Sequence, residues 1–453
     1  VNVSFFQELL SSISVKGRLL FDLSRQPGET HTIESLSRIL ISGRGEASGV
    51  ALAQQILAKY GELDAVGRTG FFNFITSSFA PDPAAVKTAA ENYLKESSAE
   101  NLGNLTVAVE PVRQEFLRRL NLAQGATAEI VKMRADLLES IKENPGLNAL
   151  DRDFTHLLSS WFNRGFLVLR PIDWSTPASI LEKLMQYEAV HQMRGWSDLR
   201  RRLQPADRRC FAFFHPSMVD DPLIFVEVAL DKDIPGSIQR VLEQESRPPS
   251  KDAEPNTAVF YSISNCQKGL AGISFGNFLI KQVVQDLTSD IPSLKTFVTL
   301  SPIPGFRNWF ERARAGHELD YLDDEQKELL AGLDDFSWAA DEEHGDALKS
   351  VLLAIAAQYF LTAKTSAGRP IDPVARFHLG NGARLERINW PGDISEKGLL
   401  ESHGLMVNYR YDLKDIERNH EAFANHGEIA VSKAVRSMLL APEKSKALVP
   451  VAG

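Results

Sequence analysis

The chain has 453 residues, too many for one ordinary core, so two or three domains are expected. Its 43% apolar and 24% charged residues are the balance of a globular protein, and a formal charge of −9 argues against nonspecific nucleic-acid binding. Cys210 and Cys266 are the whole cysteine complement, which excludes a disulfide framework and a four-thiolate zinc site and fits a reducing compartment.

In chain order, the first stretch, "VNVSFFQELLSSISVKGRLL", carries apolar residues at helical spacing. It has no basic start followed by an apolar block and a small-residue cleavage site, so no secretory signal is read there and a cytoplasmic location is the expectation. No apolar run reaches the roughly 18 residues a membrane span requires. Residues 1–165 then read as helix after helix. "AEIVKMRADLLESIKEN" and "LDRDFTHLLSSWFNRGF" have clear apolar faces, and "RQPGET", "APDPAA" and "NPGLN" supply the breaks. This part is expected to be an all-helical domain for packing and subunit assembly.

Residues 166–453 have a different texture. "FLVLRPI", "RCFAFFHPSM", "PLIFVEVAL", "NTAVFYSISN", "KTFVTLSP", "LERINW" and "LMVNYRYDL" are short runs rich in β-branched and aromatic residues. The helical segments "SILEKLMQYEAV" and "DALKSVLLAIAAQYFL" interrupt them. "RCFAFFHPSM" and "PLIFVEVAL" are separated by "VDD", which predicts a hairpin turn there. The fold class is therefore α+β: a helical domain followed by a mixed α/β domain on a central sheet.

Chemistry concentrates in two places. "SISNCQKGLAGISFGNFLIKQVVQDL" predicts a strand over Ala258–Ser264, a turn over Asn265–Gly269, and a helix from Leu270. Backbone N–H groups at a helix start attract phosphate, and Gly269, Gly272 and Gly276 would allow close approach. The spacing is neither a phosphate-binding P-loop nor a dinucleotide fingerprint, and a glycine-eased turn with close helix packing explains it equally well. In "FVTLSPIPGFRNWF", Pro302 and Pro304 are predicted to stop the ladder and hold Ser301 at a strand end. If the two strands are neighbours, their C-terminal ends lie together.

A strand, a glycine turn, a helix and a following strand resemble the acyl-CoA site of the acetyltransferase-like fold. More narrowly, "FFHPSM", "VFYSIS", "GLAGISFGNFLIK", "LSPIPGF", "FHLGNGA", "RINW" and "GLMVNYRY", in that order over about Phe166–Ala434, resemble the malonyl-CoA decarboxylase family. The resemblance implies an acetyltransferase-like catalytic domain with a twisted sheet. It implies decarboxylation of malonyl-CoA to acetyl-CoA and CO2, without a metal or organic cofactor, in a homo-oligomer (dimer or tetramer) joined through the helical domain. It casts Ser301 and His378 as the catalytic serine and histidine and Tyr411 as a tyrosine lining the same site. Ala271, Gly272, Ile273, Ser274, Phe275, Gly276 and Asn277, with Gly269 before them, become the loop that binds the CoA substrate. Animal members carry a glutamate where this chain has Ser274.

The chemistry suits these residue types. Losing CO2 leaves a carbanion that the thioester spreads as an enolate, so the protein must anchor CoA, stabilise an oxyanion and deliver a proton. His378, with an ordinary pKa of about 6.5, is a fitting proton donor. Ser301 can hold the departing carboxylate or relay the proton, and Tyr411 can orient either group. Asn389 and Arg410 are read either as polar neighbours of the site or as routine sheet residues and stay outside the catalytic set, and His215 reads as structural. An acyl-CoA-dependent acyltransferase is the alternative, separated by its need for an acceptor. The dispersed histidines and the acidic stretch around residues 322–346 predict no metal site. Neither nucleic acid nor a membrane is an expected partner.

Overall fold

The computed structural model describes residues 31–42, 46–243, 254–273, 278–333 and 342–439. The segments "VNVSFFQELLSSISVKGRLL" and "RQPGET" and the loop positions Ser274, Phe275, Gly276 and Asn277 lie outside them. The chain divides into two compact bodies. The first is Val1–Val168, Phe214–Leu223 and Asn265–Gly276; the second is Leu169–Phe213, Ile224–Ser264 and Asn277–Gly453.

The first body is helical: α1 (Ile33–Ile41), α2 (Glu46–Glu62), α3 (Ala65–Ser78), α4 (Pro83–Lys95), α5 (Ala99–Val109), α6 (Val112–Leu120), α7 (Ala126–Ile141) and α8 (Asn148–Trp161). Short polar side chains set the starts. Thr32, Asp64, Asp82 and Ser98 each accept a backbone N–H of the first turn of α1, α3, α4 and α5. Two of the expected breaks are real, with Asp82–Pro83 opening α4 and a 3-10 turn at Pro145–Leu147 dividing α7 from α8. Phe71, Phe72, Phe116, Leu137, Phe154 and Leu158 fill the core. A buried ion pair, Arg113 to Asp153 at 2.6 Å, joins α6 to α8, and Gln114 also donates to that carboxylate at 2.9 Å. The α4–α5 hairpin differs from the rest, since neither helix has a buried residue.

The strands are β1 (Val168–Ile172), β2 (Arg208–His215), β3 (Met218–Asp231), β4 (Thr257–Asn265), β5 (Thr296–Thr299), β6 (Ser301–Pro302), β7 (Arg384–Asn389) and β8 (Met406–Tyr411), most of whose residues belong to the second body, while the β2–β3 turn region Phe214–Leu223 belongs to the first. Their order is β1-β2-β3-β4-β5-β8-β6, with β7 pairing β8. All seven apolar runs of the sequence thus became strands. The predicted hairpin exists, but its turn is Pro216–Ser217, and Val219–Asp221 belong to β3. Pro216 cannot donate to a ladder, whereas the exposed Val219 and Asp220 extend a strand end without strain.

β4 and β5 are neighbours and run parallel, from Thr257–Thr296 to Phe260–Thr299. The last tie between them is the Leu300 amide to the Phe260 carbonyl at 2.9 Å. β4 continues beyond that point, while the chain after Leu300 turns to β8, pairing Ser301 with Val407 and Pro302 with Met406. Pro302 therefore lies inside a short ladder rather than ending it. A proline is accommodated there because β6 needs a partner on one side only. Val259, Tyr261, Val298, Leu300 and Met406 form a core cluster on this sheet. The long helix Glu342–Thr362, which buries Leu352, Ile355, Tyr359 and Phe360, belongs to the same body.

Candidate active site

Ser301 sits where β4 and β5 part company. Its Oγ is 3.2 Å from Nε2 of His378, and the other ring nitrogen, Nδ1, is 2.8 Å from the Tyr411 hydroxyl. All three residues are buried, at 6%, 3% and 1% exposure. Three separate elements deliver them: β6 for Ser301, β8 for Tyr411, and the helix Pro373–Gly380 for His378. That helix is fixed at both ends. Asp372 caps it, accepting the Ala375 amide at 2.7 Å, and Tyr359 donates to the second carboxylate oxygen at 3.2 Å. It stops at Asn381, followed by Gly382 at φ +81°, where a Cβ would lie 2.1 Å from the Ile416 carbonyl oxygen. Only glycine fits that position.

Further groups complete the constellation. The Tyr409 ring stacks on the imidazole at 4.6 Å between centroids. Ser301 donates its hydroxyl to Thr299 Oγ1 at 2.9 Å, and the same oxygen accepts the Tyr409 amide at 3.1 Å. Burial in this apolar setting drives the His378 pKa down to about 3 and lifts the Tyr411 phenol well above its usual value. From sequence, His378 is expected to titrate near neutrality; burial instead keeps its ring neutral well below pH 6.5.

Sequence reasoning missed Thr299 and Tyr409. Both were detectable, because each lies two residues from a chosen residue on a strand and period-two alternation puts it on the same face. Asn389 donates to Asn408 at 2.9 Å within a buried polar ladder, while Arg410 reaches Glu386 at 3.7 Å.

The glycine loop belongs to the first body, and its described part resolves the question of its glycines. The helix does not start at Leu270. Lys268–Leu270 is a single 3-10 turn, Gly272 at φ +76° ends it, and the described helix is Phe278–Asp290. A Cβ on Gly269 would stand 1.8 Å from the Val131 carbonyl oxygen of α7, so helix packing explains that glycine. Gly272 has open space around it and is glycine for its backbone conformation. Arg134 of α7 donates to the carbonyls of Gly269 and Ala271, each at 2.8 Å, while pairing with Asp151 at 2.8 Å. Ala271 and Gly272 are exposed and Ile273 is buried.

Among the described residues, no group of three or more His, Cys, Asp or Glu could hold a metal, and no helix is long and apolar enough to cross a membrane. Cys210 and Cys266 are buried and are not joined in a disulfide.

Comparison with known proteins places the chain in a family. The family model described as "Malonyl-CoA decarboxylase C-terminal domain" matches residues 165–449, and that of the N-terminal domain matches residues 79–162. A crystal structure of malonyl-CoA decarboxylase from Rhodopseudomonas palustris is 54% identical, superposes with a TM-score of 0.85, and covers 89% of this chain and 98% of that one. The enzyme of the same name from Agrobacterium vitis is also 54% identical, with TM-score 0.85 and coverage of 90% and 99%. The mitochondrial malonyl-CoA decarboxylase of Rattus norvegicus is 38% identical over 360 residues, 74% of this chain and 72% of that protein.

Proposed function

The chain belongs to the malonyl-CoA decarboxylase family and is a carboxy-lyase acting on malonyl-CoA, and we propose that Ser301, His378 and Tyr411 carry out its chemistry. The observation carrying this assignment is the buried contact of Ser301 Oγ with His378 Nε2 at 3.2 Å, backed by the Tyr411 hydroxyl on Nδ1. The substrate's C–C bond breaks toward CO2, leaving its electron pair on C2 and, through the thioester carbonyl, as an enolate. C2 then takes one proton from the Ser301–His378 pair, and one from water restores the pair. The negative charge of the bound substrate favours the imidazolium, reversing part of the pKa depression caused by burial. Tyr411 holds the ring in place.

CoA is anchored by Ala271–Asn277, whose Gly272 gives a phosphate open approach. The thioester is the electron sink, so turnover runs without added metal or organic cofactor. A chelator should leave it unchanged. The helical region joins subunits through the α4–α5 hairpin, where Leu94 and Val107 are 81% and 74% exposed. Light scattering of Leu94→Glu should report smaller particles. The protein is placed in the cytoplasm, a location that cell fractionation tests. The central experiment is CO2 release from malonyl-CoA alone. Wild type should turn over with no acyl acceptor, and Ser301→Ala and His378→Asn should not. Full turnover by either variant removes that residue from the reaction.

A further inference from the structure

We propose that Thr299 is a positioning residue for the decarboxylation: by accepting the hydrogen bond of the Ser301 hydroxyl it sets the hydrogen of His378 on Nε2, so that the imidazole donates to Ser301. This inference rests on the roles given to Ser301 and His378 above. Thr299 has no exposed surface and so acts only through its neighbours.

The direction of donation can be followed through the buried ladder behind Ser301. Arg387 has only donors. Its Nε reaches Asn389 Oδ1 at 2.7 Å and Asn408 Oδ1 at 3.2 Å, and a second nitrogen is anchored on the Ile234 carbonyl at 2.7 Å. The Asn389 amide nitrogen therefore donates, and it meets Asn408 Oδ1 at 2.9 Å. The Asn408 amide nitrogen donates in turn to the Thr299 carbonyl at 2.7 Å, which pins the Thr299 backbone. On the side chain, the Tyr409 N–H can only donate, so Thr299 Oγ1 accepts there, and the Ser301 hydroxyl donates to the same oxygen. Thr299 is β-branched, so this oxygen has little rotational freedom.

The consequence falls on His378. With its proton spent on Thr299, Ser301 presents lone pairs to Nε2, which must then carry hydrogen. Nδ1 is left bare and accepts the Tyr411 hydroxyl. A serine nucleophile requires the opposite polarity, with the hydroxyl donating to the histidine. The arrangement here is that of a proton donor aimed through Ser301, which suits quenching a carbanion.

The test uses the full-length protein with Thr299→Val, Thr299→Ser, Ser301→Ala and His378→Asn. Initial rates on malonyl-CoA give kcat and KM, and nitrogen-15 NMR of histidine-labelled protein reads the tautomer. Losing one oriented hydrogen bond should lower kcat of Thr299→Val about tenfold or more while KM stays within about twofold. His378 should shift toward the Nδ1–H form, and Thr299→Ser should regain most of both. Wild-type kcat and tautomer in Thr299→Val, with Ser301→Ala and His378→Asn inactive, would overturn the inference and leave the catalytic assignment standing. Failure of Thr299→Ser to restore kcat, or a loss of kcat in Thr299→Val without a tautomer shift, would also overturn it. Full activity in Ser301→Ala or His378→Asn would instead overturn the assignment beneath it.

Discussion

His215 and His378 are both buried, at 8% and 3% exposure, yet their ring nitrogens face different chemistry. His215 is 3.1 Å from the Trp161 carbonyl through Nε2 and accepts the Ser217 amide at 3.2 Å through Nδ1, with the Phe162 ring 4.7 Å away. Backbone carbonyls and amides neither give up nor take protons at working pH, so this ring is a clip that closes the β2–β3 turn onto the end of α8. His378 meets a hydroxyl at each nitrogen, and hydroxyls can pass a proton on. Burial alone does not separate a structural histidine from a reactive one; the partners do.

That contrast can be broken most directly by exchanging both rings for asparagine. His378→Asn should lower kcat about 10²–10⁴-fold, the usual worth of a positioned proton donor, with CoA affinity mostly kept. His215→Asn should retain turnover per folded molecule and lower unfolding stability by about 1–3 kcal/mol, read by urea titration. Equal loss of turnover in the two would erase the distinction.

Acidification gives a second contrast. His378 has a folded pKa of about 3 and His191 of about 4, both depressed by burial from an ordinary value near 6.5. The unfolded chain therefore binds more protons between those values. Stability is fully present above about pH 6.5 and falls as pH drops, by at most about 1.4 kcal/mol per pH unit for each ring. Unfolding midpoints from pH 7 to 4 should decline more steeply in wild type than in His378→Asn. Identical slopes would mean the ring is not held neutral. The smallest expected change is in Tyr411→Phe, where losing the bond to Nδ1 should reduce kcat about tenfold, measured by CO2 release.

Much of the sheet domain was legible because its strands are dense in Val, Ile and Phe and are bounded by turn residues. The two strand ends were legible, but that β4 and β5 are parallel neighbours was only a condition of the sequence reading and is supplied by the fold. What escaped were features set by contacts distant in sequence. Nothing local marks the Tyr409 amide as the partner of Thr299, 110 residues away. The turn at Pro216–Ser217 was misread because Asp220 and Asp221 look like turn chemistry until a long strand projects them into solvent. The glycines at 269 and 272 look alike in sequence, yet one answers to the Val131 carbonyl and the other to a backbone angle.

The Arg134 contacts bear on how this protein can be cut and recombined. By sequence, Gly269 and Ala271 fall within the stretch matched by the C-terminal domain model, but their carbonyls rest on an arginine of α7. A fragment beginning near residue 165 would carry the loop without the guanidinium that braces it. Modular shuffling at that seam would separate the loop from the arginine that braces it, so inheritance should keep the two halves travelling together.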